Sequence, residues 1–205
     1  MPPPFRSPMA NTQTSIINKA LVLVGAATVV SIDDGTPNAN ALGNVYEIAL
    51  QSILSECKWN FATQRSSLSL AVSDTAFLYP NEKFVYDIPS NVIRIFDVSP
   101  MFTYWREENG QIISDTANLG ILYVYYDDNP AHYPSYFLDA FIDKLCSDIA
   151  YVIINNATIA AAFSQKYETV SLSKAISANS QTGMQQNMLD NAWTDSKFHD
   201  GSFTA

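Results

Sequence analysis

The spacing of apolar residues in this chain changes twice, and that change limits the folds open to it. Up to Cys57 apolar side chains recur at three- and four-residue steps, from Trp59 to Tyr126 the step moves towards two, and after Pro130 the longer step returns. Steps of three and four line one face of a helix, and steps of two line one face of a strand. The chain is therefore expected to be α+β: an antiparallel helical bundle with an inserted small antiparallel β-sheet or barrel region and an extended C-terminal tail.

The helices can be placed from their punctuation. A first helix is expected from an N-cap at Thr14 or Ser15 to a stop at Gly25. Residues Ser31 to Asn40 carry turn chemistry, and a second helix should run from Ala41 to Cys57, with Leu42, Val45, Ala49, Ile53 and Cys57 inward. After Asp127-Asp128-Asn129-Pro130, a third helix with Pro134 in its first turn should bury Phe137, Leu138, Phe141, Ile142, Leu145, Ile149, Val152 and Ile153, opposite Asp139, Asp143, Ser147 and Asp148. Asn155-Asn156 reads as a break. A fourth helix, from Thr158 past Ala178, should turn Phe163, Tyr167, Val170 and Ala175 inward and Lys166, Glu168 and Lys174 outward.

Between the helices, strands are expected at Leu68 to Val72, Lys83 to Asp87, Val92 to Val98, Met101 to Glu107, Gln111 to Ser114 and Gly120 to Tyr126. Asn109-Gly110 is a two-residue hairpin turn, because both positions tolerate positive φ. Pro80, Pro89 and Pro100 punctuate the strands and stay out of central ladders. The stretch Cys57 to Leu68 is the point where helix hands over to sheet. Its Trp59 and Phe61 are expected to be buried in the seam, with Arg65 binding a backbone carbonyl or carboxylate nearby.

The expected organisation is a flexible Pro-rich arm at 1–13, a discontinuous helical part at 14–58 and 131–178, a β-region at 59–130, and a polar C-terminal docking tail at 179–205. Trp193, Phe198 and Phe203 are the tail's candidate docking residues. With 205 residues the chain can bury a real core, and it has no transmembrane run or internal repeat. The run from Ala20 to Val30, behind Lys19, resembles a signal-peptide core in length, but Ile16, Ile17, Ala20, Leu21 and Val24 fit a core-facing helix.

Catalytic patterns are sparse. His132 and His199 have no Ser, Cys or carboxylate at triad spacing, and no glycine-rich phosphate loop is present. Cys57 and Cys146 fall at apolar helix positions without metal-ligand spacing. The pairs Asp33-Asp34, Glu107-Glu108 and Asp127-Asp128 are adjacent residues, which suits capping and solvation better than two carboxyls facing across a cleft. Tyr123, Tyr125, Tyr126, Tyr133 and Tyr136 are expected to pack the sheet against a helix. The 20 acidic against 11 basic residues, a formal charge of -9, exclude a sequence-independent grip on nucleic-acid phosphates. No catalytic residue, cofactor or metal is expected.

A set of sequence words in fixed order carries a resemblance. They are Asn18-Lys-Ala-Leu-Val-Leu-Val-Gly25, Val30-Ser-Ile-Asp-Asp34, Trp59-Asn-Phe-Ala62 with Arg65 and Leu68, Tyr86-Asp-Ile-Pro-Ser-Asn-Val-Ile-Arg94, Leu122-Tyr-Val-Tyr-Tyr126, and a helix from Tyr136-Phe137 into Asp148-Ile-Ala-Tyr151. In order and spacing, over residues 14 to 178, the chain resembles the tail tubular protein A family, the head-to-tail adaptors of short-tailed bacteriophages. The arm at 1–13 and the end after Ser177 match nothing in that pattern.

The resemblance implies a structural virion protein, assembled in the host cytoplasm into a ring of about twelve copies below the portal. The ring would carry the tail nozzle or tube protein and the fibres or spikes, and genomic DNA would pass through it without specific binding. No membrane partner is implied. Trp59, Phe61, Arg65, Tyr86, Pro89 and Arg94 would form the structural junction of the subunit. Two other readings compete with it. One is a virion-associated glycan hydrolase using Glu107, Glu108, Asp127 and Asp128, and the other is a small secreted binding module.

Overall fold

The computed structural model describes residues 11–32, 35–71 and 78–182. Asp33, Asp34, the arm before Asn11, His199 and the candidate docking residues Trp193, Phe198 and Phe203 lie outside the described residues.

Helix α1 (Gln13–Leu23) has its N-cap two or three residues before the expected Thr14 or Ser15. Thr12 is the N-cap, and its side chain and that of Ser15 each accept the other's backbone N–H. Its end follows from Gly25, whose φ of 78° is the left-handed conformation a β-carbon disfavours. The Gly25 and Ala26 N–H groups then close the Val22 and Leu21 carbonyls. Asn18 pins the outgoing loop by exchanging two hydrogen bonds with the backbone of Val29.

Helix α2 (Pro37–Glu56) begins inside the stretch expected to be loop. Thr36 caps it by accepting the Ala39 N–H, and Pro37 opens it, where a missing N–H costs nothing. A Thr-Pro pair is both turn and helix-start chemistry, so the apolar period alone placed the boundary too late.

After a short 3₁₀ turn at Asn60–Ala62 come strands β1 (Thr63–Ser67), β2 (Phe84–Asp87), β3 (Val92–Ser99), β4 (Trp105–Glu108), β5 (Gln111–Ser114) and β6 (Gly120–Tyr125). They form two antiparallel three-stranded sheets, β1-β6-β3 and β2-β5-β4, rather than a barrel. Asn109 and Gly110, at φ 51° and 72°, make the expected hairpin turn between β4 and β5. Two strand expectations shift. The first strand is the polar Thr63–Ser67, while Leu70 makes one isolated bridge to Tyr86. Met101 to Tyr104 is a turn with Phe102 at φ 64°, so β4 starts only at Trp105.

Strand β6 belongs to two cores. Ile121 and Tyr123 pack with Tyr86, Val98, Ile112 and Leu119 between the sheets, while Val124 packs with the helices. Its partner β3 keeps step through two register shifts, at Val92/Arg94 and Ile95/Asp97. Each places two residues against one, so the residues facing the sheet core recur as Val92, Ile95 and Val98 at three-residue spacing. Ile93 and Phe96 are thereby sent to the helical core.

A second 3₁₀ turn, Pro130–His132, leads into α3 (Ser135–Val152), with Pro134 as its N-cap residue rather than in its first turn. The other helices pack on α3. Its Phe137, Phe141, Leu145 and Ile149 are buried as expected, whereas Val152 is exposed. Asn155, at φ 54°, ends the segment, and Asn156 caps α4 (Ala157–Lys166) by accepting the Thr158 and Ile159 N–H groups. A π-helical turn, Tyr167–Ser171, joins α4 to α5 (Leu172–Gln181) without a break.

Helix α5 corrects the expected boundary of the polar tail. Asn179, in its last turn, is buried and wired to the helix-to-sheet junction. Its Oδ1 accepts the Asn60 backbone N–H at 2.9 Å, its Nδ2 donates to the Lys58 carbonyl at 2.8 Å, and its own carbonyl accepts from the Asn60 side chain at 2.8 Å. Replacing Asn179 with Ala leaves a backbone N–H and a carbonyl without partners, which should lower unfolding stability by about 3 kcal/mol. Urea denaturation measures this, and a loss below about 0.5 kcal/mol would show that the clamp contributes nothing beyond an ordinary surface position.

Candidate functional site

The junction that the sequence singles out is a ring of aromatic contacts at the end of α2. The Trp59 indole is fully buried, meets the Phe137 ring edge-on at 5.0 Å, and donates its N–H to the Ile53 carbonyl at 2.7 Å. Phe61 packs between Phe137 at 4.7 Å and Tyr133 at 5.8 Å. Arg94 reaches from β3 to donate to the Ser55 carbonyl at 2.9 Å, with its guanidinium over the Phe96 ring. Two orphan carbonyls of the last turn of α2 are thus closed by side chains.

Of the six junction residues named from sequence, the structure brings Trp59, Phe61 and Arg94 to this seam. Arg65 is exposed on β1, and the carbonyl-binding role expected of it is performed by Arg94. Tyr86 lies in the core between the sheets and donates its hydroxyl to the Thr116 carbonyl, and Pro89 sits in the turn before β3.

Several buried polar groups were not legible in the apolar pattern. Asp143, expected on the polar face of α3, is buried, pairs with Lys166 at 2.7 Å and accepts the Ser171 hydroxyl. Val170, expected inward, is instead 40% exposed. The π turn between Lys166 and Leu172 rotates the run so that both Asp143 partners face α3. Glu82 is a buried carboxylate held by the Arg106 Nε at 2.7 Å and by the Tyr79 N–H. Asp127 accepts the Asn129 N–H and meets the His132 Nδ1 at 2.9 Å. The His132 Nε2 lies beside the Asn129 amide at 3.2 Å, so this carboxylate-imidazole pair addresses no Ser or Cys among the described residues.

Burial dominates the protonation of the seam and its surroundings. It pushes the Tyr46 phenol and the Cys146 thiol each up to about 12 and raises Tyr133 and Tyr167 further, so all remain neutral at ordinary pH. Cys57 is also pushed up by burial, which leaves neither thiol activated as a nucleophile. No group of three or more His, Cys, Asp or Glu side chains among the described residues is placed to hold a metal ion. No described helix is long and apolar enough to cross a membrane.

One surface feature with binding character is a groove of about 590 Å³ between α2, α3 and α4. Its floor is Ala49 and Ala160, small enough to leave a recess, and Val45, Ala161, Asp148 and Lys144 stand around it. Ile48, Tyr151 and Val152 beside it are 69%, 69% and 56% exposed. Apolar side chains gathered at a recess are the usual mark of a protein contact. Their exposure could not be read from sequence, because Val45, Ile48 and Ala49 follow the same helical step whether a face is covered or bare. No protein-family model matches the chain, and a search of the curated proteins finds no match.

Asp148 gives the groove a pH signature. Burial raises its carboxyl above the ordinary value, with Lys144 opposing the shift. The fold therefore favours the protonated form, whose contribution to stability is full below pH 3.8 and is lost as pH rises through the raised folded value. Asp148→Asn should make the protein more stable than wild type at neutral pH and equal to it in acid below the carboxylate range. Urea midpoints at both ends decide it, and a variant less stable at neutral pH contradicts this reading.

Proposed function

We propose that the chain is a structural virion protein, a head-to-tail adaptor of the tail tubular protein A type. Its helices act as an antiparallel bundle whose copies close into a ring, of about twelve subunits by the resemblance. The portal protein lies on one side and the tail nozzle or tube protein, with fibres or spikes, on the other. The ordered sequence words between residues 14 and 178 support the identity of the family. The structural observation that carries the reading is the apolar groove with Ile48, Tyr151 and Val152, a surface suited to covering by protein.

In this reading the α4–α5 run and the residues after it reach the portal, and the two sheets face the distal tail proteins. Trp193, Phe198 and Phe203 would anchor the portal contact. The acidic balance of the chain suits a channel through which DNA slides, since carboxylates in the lumen repel phosphates and lysines would hold them. A lumen lined mainly by Lys and Arg would contradict that part of the proposal. The localisation that follows is the head-tail interface of the particle.

Mixing the purified chain with the portal protein of the same phage genome tests the function. Electron microscopy and native mass are expected to show a closed ring seated on the portal. A chain that stays monomeric and never co-migrates with the portal would overturn the proposal.

A further inference from the structure

The α4–α5 run separates two unlike flanks of the helical half. On its α2 side lies the apolar groove with Ile48, Tyr151 and Val152, followed along the run by Glu56, Asp148 and Glu168 with Lys144 among them. On its α1 side lies a second groove with Leu23 and Val170 at its edges, 50% and 40% exposed. This flank carries Lys19, Lys166 and Lys174 against Asp139 and Asp143. Asp143 is taken up by Lys166 and Ser171, and Asp139 sits 3.9 Å from Lys19. The first flank therefore has an excess of carboxylates and the second an excess of amines, each around exposed aliphatic side chains.

We propose that these two flanks are the two halves of one head-to-tail contact between copies of this chain. The Leu23 and Val170 patch of one copy covers the Ile48, Tyr151 and Val152 patch of the next. Lys174, the amine that remains on its flank once Lys166 is paired with Asp143 and Lys19 with Asp139, then faces Asp148 and Glu168. Charge chooses this pairing over a two-fold one, because the α2-side flank laid on itself would bring carboxylates against carboxylates, which is repulsive. A contact made from two different patches leaves one of each unused on every pair, so it propagates until the rotation closes. This inference rests on the reading that the chain assembles with copies of itself, and it names the surfaces that do so.

The test uses the full-length chain and two single variants, Ile48→Asp and Val170→Asp, both at exposed positions that leave the cores untouched. Analytical ultracentrifugation across concentrations up to about 500 µM should show association of the wild type beyond a dimer. Each variant alone should be weakened at least about 10-fold, since every contact in a uniform population uses both patches. An equimolar mixture of the two variants should recover a dimer and nothing larger, because one intact patch remains on each partner. Two-fold pairing predicts no recovery in the mixture, and that outcome overturns the proposal. A wild type monomeric at all these concentrations also overturns it. Recovery of the mixed dimer in a chain that never binds the portal upholds this contact and counts against the adaptor reading alone.

Discussion

The last turn of α2 ends without a following glycine, and its carbonyls at Ile53 and Ser55, which have no partner within the helix, are closed by Trp59 and Arg94, two side chains from beyond the helix. That closure fixes where the chain turns from helix to sheet. Trp59 can stay buried there only because the backbone beside it is satisfied as well, and Asn179 supplies what Lys58 and Asn60 lack. A residue 119 positions after Asn60 therefore completes the turn from helix to sheet. Loss of the clamp would expose an indole, an amide and a carbonyl together, which is why the seam behaves as one unit in this account.

From that seam the two cores are held by shared elements rather than by a linker. Strand β6 gives alternate side chains to the sheet core and to the helices, and β3 does the same through its two bulges. The aromatic set of Trp59, Phe61, Tyr133, Phe137 and Phe141 fills the space between the end of α2 and the start of α3. Rigidity of this kind suits a subunit that must transmit contacts from one side to the other, and it is the physical link between the fold and the proposed ring.

Local chemistry was the most legible part of the sequence. Gly25, Asn109-Gly110 and Asn156 each act through backbone conformation or capping that involves near neighbours alone, so their residue types suffice to identify them. The buried faces of α2 and α3 followed from periodicity for the same reason. The expectations that shifted depend on distant partners. β1 is polar in sequence because it pairs at a sheet edge with β6, and Asp143 and Asn179 look like surface residues until Lys166, Ser171 and Asn60 are brought to them. The steps from Leu172 through Ala175 to Asn179 continue the helical period, and that was the available signal for the last turn of α5. The groove was the least legible element, because one-dimensional spacing shows that a face is apolar and not whether anything covers it.

Amide hydrogen exchange at Asn60 tests the seam most directly, since that N–H is donated to Asn179 and to nothing local. The account predicts that Asn60 exchanges as slowly as the central amides of α3, by the same global opening, and that denaturant accelerates both in parallel. Exchange of Asn60 at the rate of an open loop while α3 stays protected would contradict it, because the helical half and the sheets would then be joined by a hinge and not by a clamp.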